Sequence, residues 1–132
     1  MRKILIIDDN YEKREYLKDQ ILRVTDEYSI IECECLSQSI LELFLNSSDI
    51  DLIFLDWTFP NFPKTNPVYE QGLNILDYLS LTDLHINTII FSVDNIELKQ
   101  ENDNVSGILK YNPNTSIEEE IRTNLNINTR RK

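Results

Sequence analysis

Glycine is scarce in this chain, with 2 in 132 residues, and proline is limited to 4, which excludes collagen-like and linker-like classes. There are 2 cysteines, 1 histidine and 1 tryptophan. Cys33 and Cys35 stand one residue apart on an expected strand, so their side chains point the same way, a poor disulfide geometry. They also lack the CxxC spacing of redox and zinc sites and read as buried core thiols. The single histidine, His85, falls in an expected loop without a Gly-x-Ser-x-Gly elbow elsewhere, which excludes a His-based catalytic triad. Long apolar runs are missing too. The one after Lys3 ends at Asp8-Asp9, too short for an export signal and far below the roughly 20 residues that span a bilayer. A soluble, cytoplasmic protein with no membrane association is expected.

Positive charge is in deficit, with 13 Lys+Arg against 23 Asp+Glu and a net charge of −10. That balance argues against direct nucleic-acid binding, which rewards clustered Lys and Arg. What is present is an apolar fraction of 41%, enough for a core without disulfide or metal staples, in a length that fits one domain.

Short apolar runs alternate with helical patterns. Lys3 to Ile7 reads as a strand, and Asn10 caps a helix over Tyr11 to Thr25 on which Leu17, Ile21 and Val24 recur. Ile30 to Cys35 is a second strand. Ser37 to Leu45 is a second helix, with Ser39 and Glu42 in capping-box relation and Ile40, Leu43 and Phe44 as its apolar face. Ile50 to Leu55 is a third strand. Pro60, Pro63 and Pro67 then mark a long loop, and Leu73, Leu76 and Leu79 trace a third helix. Thr88 to Ser92 is a fourth strand, Ile96 to Asp103 a polar helix and Gly107 to Leu109 a fifth strand. The last helix opens at Ser116, with Thr115 and Glu118 as a capping box and Ile117, Ile121 and Leu125 on one face. The domain is expected over 1–127, with a basic tail over 128–132. Five strands alternating with five helices predict an α/β fold: a doubly wound parallel sheet with helices on both faces.

In such sheets functional groups gather at the carboxyl ends of the strands. Asp8 and Asp9 follow the first strand, Asp56 the third, Ser92 ends the fourth and Lys110 follows the fifth. Three converging carboxylates repel one another unless a cation neutralises them, and Mg²⁺, with its preference for hard oxygen ligands, is the natural candidate. A carboxylate beside Mg²⁺ can act as a nucleophile toward a phosphoryl donor. Lys110 would supply a mobile charge and Ser92 a hydroxyl donor.

These five residues, in order on this strand-helix rhythm, resemble the CheY-like receiver domain of two-component response regulators, over nearly the whole chain from Lys3 to about Leu125. The resemblance implies sheet order 2-1-3-4-5, Asp56 as phosphoacceptor, Asp9 as direct Mg²⁺ ligand, Asp8 as a mostly water-mediated one, and the backbone carbonyl of Thr58 as a further metal contact. It implies that Lys110 pairs with the phosphoryl group and that Ser92 swings toward it, shifting an inactive-active equilibrium. The implied partners are a histidine kinase or phosphotransfer protein and a downstream protein. No enzymatic turnover is expected beyond self-phosphorylation and slow autodephosphorylation.

The chain departs from the family in four places. Gly107 stands where an aromatic is usual, Val93 where a small residue follows the hydroxyl, and Tyr111 where a proline follows the lysine, with Pro113 only third. The loop from Asp56 to Gly72 is longer than usual and carries Phe59, Phe62 and Tyr69, either as a lid or docking surface or as a tolerated insertion. Aspartate-nucleophile phosphatases resemble Asp-x-Asp, and Thr58 takes the second position here. A divergent receiver used only as a phosphorylation-independent binding module stays open as the alternative.

Overall fold

The computed structural model describes residues 1–127, so the tail expected over 128–132 lies outside the described residues. The elements run β1 (Lys3–Ile7), α1 (Tyr11–Val24), β2 (Ser29–Cys33), α2 (Leu36–Asn46), a 3-10 turn (Ser47–Asp49), β3 (Ile50–Leu55), β4 (Phe59–Pro60), β5 (Pro67–Val68), α3 (Gly72–Leu81), β6 (Asn87–Ser92), β7 (Val105–Lys110) and α4 (Glu118–Leu125). The main sheet is parallel in the order β2-β1-β3-β6-β7, and β4 and β5 form a separate antiparallel pair. With that pair set aside, the order is the expected 2-1-3-4-5.

The central strands are apolar because both of their faces are covered. Ile4, Ile6, Leu52, Phe54, Ile89 and Phe91 pack with Leu17 and Ile21 of α1 and Ile121 of α4. Leu5, Ile7, Ile53, Leu55 and Ile90 take the opposite face with Leu43 of α2 and Ile75, Leu76 and Leu79 of α3. The period of two along each strand thus divides the core into two layers.

The expected helix over Ile96 to Asp103 does not form; residues 93–104 make bends and turns. Only Ile96 and Leu98 of this segment pack against the core, and residues two apart do not share a helix face. Asn102 and Asn104 spend their side chains on backbone N–H groups, Asn102 on that of Asn104 and Asn104 on that of Ile86, a competition that favours turns. Four helices among the described residues therefore cover the sheet, two per face.

Neither expected capping box forms. Helix α2 starts after Cys35, and Ser39 Oγ donates to the Cys35 carbonyl. Helix α4 starts after Ile117, whose N–H donates to Gln20 Oε1 of α1 at 2.8 Å. The core stripe of α2 is Leu36, Ile40 and Leu43, one turn apart, which leaves Phe44 74% exposed rather than inward. The long loop is partly ordered by the β4–β5 hairpin. Phe59 is fully buried, and Gln71 Nε2 donates to Asn61 Oδ1 at 2.8 Å and to the Phe59 carbonyl, closing the hairpin's base.

Cys33 and Cys35 are free and buried. Burial pushes the Cys33 thiol up to about 12. Native protein at neutral pH should therefore resist alkylation at Cys33, and both thiols should react after denaturation, which intact mass spectrometry reads directly. Among the described residues no helix is long and apolar enough to cross a membrane.

Candidate functional site

Asp8 and Asp56 stand at the carboxyl ends of neighbouring strands, held there by the sheet itself. The Asp8 N–H donates to the Cys33 carbonyl and the Asp56 N–H to the Ile7 carbonyl, both at 2.9 Å. Asn10 caps α1 by accepting from the Lys13 N–H, and its own N–H donates to Asp8 Oδ1 at 2.9 Å. The chain turn from β1 into α1 is thereby pinned, which brings Asp9 beside the other two. Asp8, Asp9 and Asp56 each offer a carboxylate oxygen within 4.8 Å of the others.

Lys13 completes the pocket, and ranking only strand-end residues missed it. Its ammonium pairs with Asp8 Oδ2 at 2.8 Å and donates to Asp56 Oδ1 at 3.2 Å and to the Phe91 carbonyl at 3.1 Å. It lies 5.5 Å from the Phe91 ring centroid, with only 3% of the side chain exposed. The signal was available, since helical side chains tilt toward the N-terminus and a first-turn residue of α1 leans over the end of β1. A cation there opposes the helix dipole, an arrangement that two facing carboxylates offset.

Asp56 Oδ1 accepts from both Lys13 and the Trp57 N–H, the latter at 2.8 Å, whereas Oδ2 has no donor among the described residues. The Asp56 side chain keeps 11% of its surface exposed. Ser92 is buried at the end of β6, with Oγ accepting from the Asp94 N–H at 3.2 Å. Lys110 is aligned with Ser92 in the sheet register, but its side chain is exposed and makes no ion pair with a described carboxylate. Thr58 is half-buried in the bend after Trp57. Tyr111 packs edge-on against Phe91 at 5.6 Å and Tyr16 at 5.4 Å, and the Tyr16 hydroxyl donates to the Thr115 carbonyl. Trp57 is buried, and α3 begins against its ring at Gly72.

Burial, and next the Asp8 charge, push the Asp56 carboxyl up to about 7 against the opposing pull of Lys13. Burial raises Asp8 as well, again with Lys13 opposing. Between the ordinary carboxylate range and pH 7 the folded state thus holds a proton that the unfolded chain has released. Stability of the metal-free protein should fall as pH rises from about 5 to 7, by up to about 1.4 kcal/mol per unit for one group. Urea midpoints across that window, with Asp56→Asn as the flattened comparison, check the slope.

The donor set fits a divalent cation. Its carboxylate oxygens are hard ligands, and Asp9 and Asp56 Oδ2 keep lone pairs that no described protein donor takes.

The strand order is that of a flavodoxin-like doubly wound sheet, here with carboxylates at its strand ends. No family model matches the sequence, and no curated protein is similar to it. Solved structures do match. A response regulator receiver domain protein from Clostridium thermocellum superposes with TM-score 0.67 at 19% identity, over 96% of this chain and 92% of that one. A structure of histidine kinase ThkA in complex with response regulator protein TrrA matches with TM-score 0.66 at 19% identity, over 95% and 99%. The Mn²⁺-bound form of response regulator Rcp1 matches with TM-score 0.60 at 16% identity, over 96% and 91%. The chain has the fold of response regulator receiver domains.

Proposed function

We propose that this chain is a phosphoacceptor receiver, phosphorylated on Asp56 by a histidine kinase or phosphotransfer protein in the cytoplasm. One observation carries the reading: Asp56 Oδ1 is held by two donors while Oδ2 has none among the described residues, beside two further carboxylates suited to a cation. Oδ2 attacks the donor's phosphorus, the P–N bond of a phosphohistidine or the P–O bond of acetyl phosphate breaks, and the leaving group takes the electron pair. The product is an acyl phosphate on Asp56. A Mg²⁺ ion held by Asp8, Asp9, Asp56 and the Thr58 carbonyl would neutralise charge on the attacking and transferred oxygens. Ser92 then exchanges its Asp94 contact for a phosphoryl oxygen, which moves the segment after β6 and changes the surface offered to a downstream protein. Catalysis is confined to this transfer and to slow hydrolysis of the product.

Intact mass spectrometry after incubation with acetyl phosphate or phosphoramidate and Mg²⁺ tests the reading. One phosphoryl group is expected on the wild type and none on Asp56→Ala. No adduct despite bound metal would favour a phosphorylation-independent binding module. The irregular segment over 93–104, next to Ser92, is the observation on that side.

A further inference from the structure

We infer that Lys13, in place of Lys110, is the cation that meets a phosphoryl group on Asp56, an inference that rests on the phosphoacceptor reading. The Lys13 ammonium is 3.2 Å from Asp56 Oδ1 and 3% exposed, and it is tied at once to β1 through Asp8, to β3 through Asp56 and to β6 through the Phe91 carbonyl. No other Lys or Arg among the described residues pairs with Asp56.

The chemistry of the transfer gives this ammonium its task. When Oδ2 takes the phosphoryl group, Oδ1 becomes the carbonyl oxygen of an acyl phosphate and loses most of its negative charge. The charge moves to the phosphoryl oxygens, and an ammonium on a flexible stem follows it while keeping Asp8 as its second partner. Burial in a pocket of low dielectric makes that contact stronger than one made in solvent.

Lys110 is placed differently. It lies two residues beyond Ile108 on the regular end of β7, so the two share a face, and both are exposed. Tyr111, immediately after it, is fixed against Phe91 and Tyr16, and its N–H donates to the Ser92 carbonyl at 2.8 Å. The backbone on either side of Lys110 is thus held, and its ammonium stands exposed with no carboxylate partner among the described residues, whereas that of Lys13 is already at Asp56.

Beryllium fluoride with Mg²⁺, a mimic of a phosphoryl group on a carboxylate, is the probe. Side-chain ammonium signals of wild-type protein would be followed by ¹⁵N NMR, with Lys13→Arg and Lys110→Arg used for assignment. The Lys13 signal should shift on addition and the Lys110 signal should stay. Lys13→Met should lose about tenfold or more in affinity for the probe. The wild-type spectra decide the matter even where Lys13→Met fails to fold. Movement of the Lys110 signal, alone or together with that of Lys13, would overturn the inference while leaving the phosphoacceptor reading intact. Absence of any probe binding to the wild type would overturn both.

Discussion

Lys13→Met is expected to lose about 3–5 kcal/mol of stability in the metal-free protein at neutral pH, the range for stripping one partner from a buried ion pair. The substitution is close in length and apolar, so it removes the charge without opening a large cavity. What remains is Asp8 and Asp56 facing each other after losing an ammonium at 2.8 and 3.2 Å. Two features of the loss identify its cause. It should shrink as pH is lowered, because burial already raises both carboxyls and a protonated carboxyl needs no counter-ion. It should also shrink when Mg²⁺ is supplied, because the ion takes over the neutralisation that Lys13 provided. Urea denaturation with chelator, with Mg²⁺, and at two pH values reads all three. A loss under about 1 kcal/mol, indifferent to pH and to metal, would show that Lys13 is not the pocket's counter-ion.

Gly72→Ala is the second large effect, about 1–3 kcal/mol from forcing a methyl into a filled site. A Cβ there would sit 2.8 Å from Trp57 Cζ3 and 3.2 Å from the Asp56 carbonyl oxygen. Among the described residues no glycine has positive φ, so the requirement for glycine is one of space and not of backbone conformation. The Gly72 N–H also donates to the Trp57 carbonyl at 3.2 Å, so relief by shifting α3 pulls on the peptide that follows Asp56. The variant should therefore show a changed Trp57 emission spectrum along with a lower urea midpoint. Unchanged emission and midpoint would mean that the ring and helix separate without strain.

Much of this architecture is legible from residue patterns because the central strands are buried on both faces. Ile50–Leu55 reads as a strand from its run of apolar side chains, and the same reasoning sets Asp56 at its end. Asp8 and Asp9 follow in the same way after Ile4–Ile7. Three features resisted for distinct physical reasons. Lys13 sits on a helix, where its polar type suggests a solvated face, and only the tilt of first-turn side chains directs it over the strand ends. The segment after Ser92 has helical composition but no apolar stripe at helical spacing, so nothing drives it onto the sheet as a helix. The start of α4 is decided by Gln20, 97 residues away from Ile117, a partner that no local capping pattern contains.

The irregular crossover over 93–104 gives this fold a natural seam. A protease cutting there would break no helix and no strand, and the piece from Val105 onward would stay attached through the β6–β7 ladder and the packing of α4 against α1. Loop tips of this kind are where nicking and permutation are tolerated. The protein could accordingly be assembled from two separately made fragments divided between Val93 and Asn104, with Asp8, Asp9, Lys13, Asp56 and Ser92 all on the first.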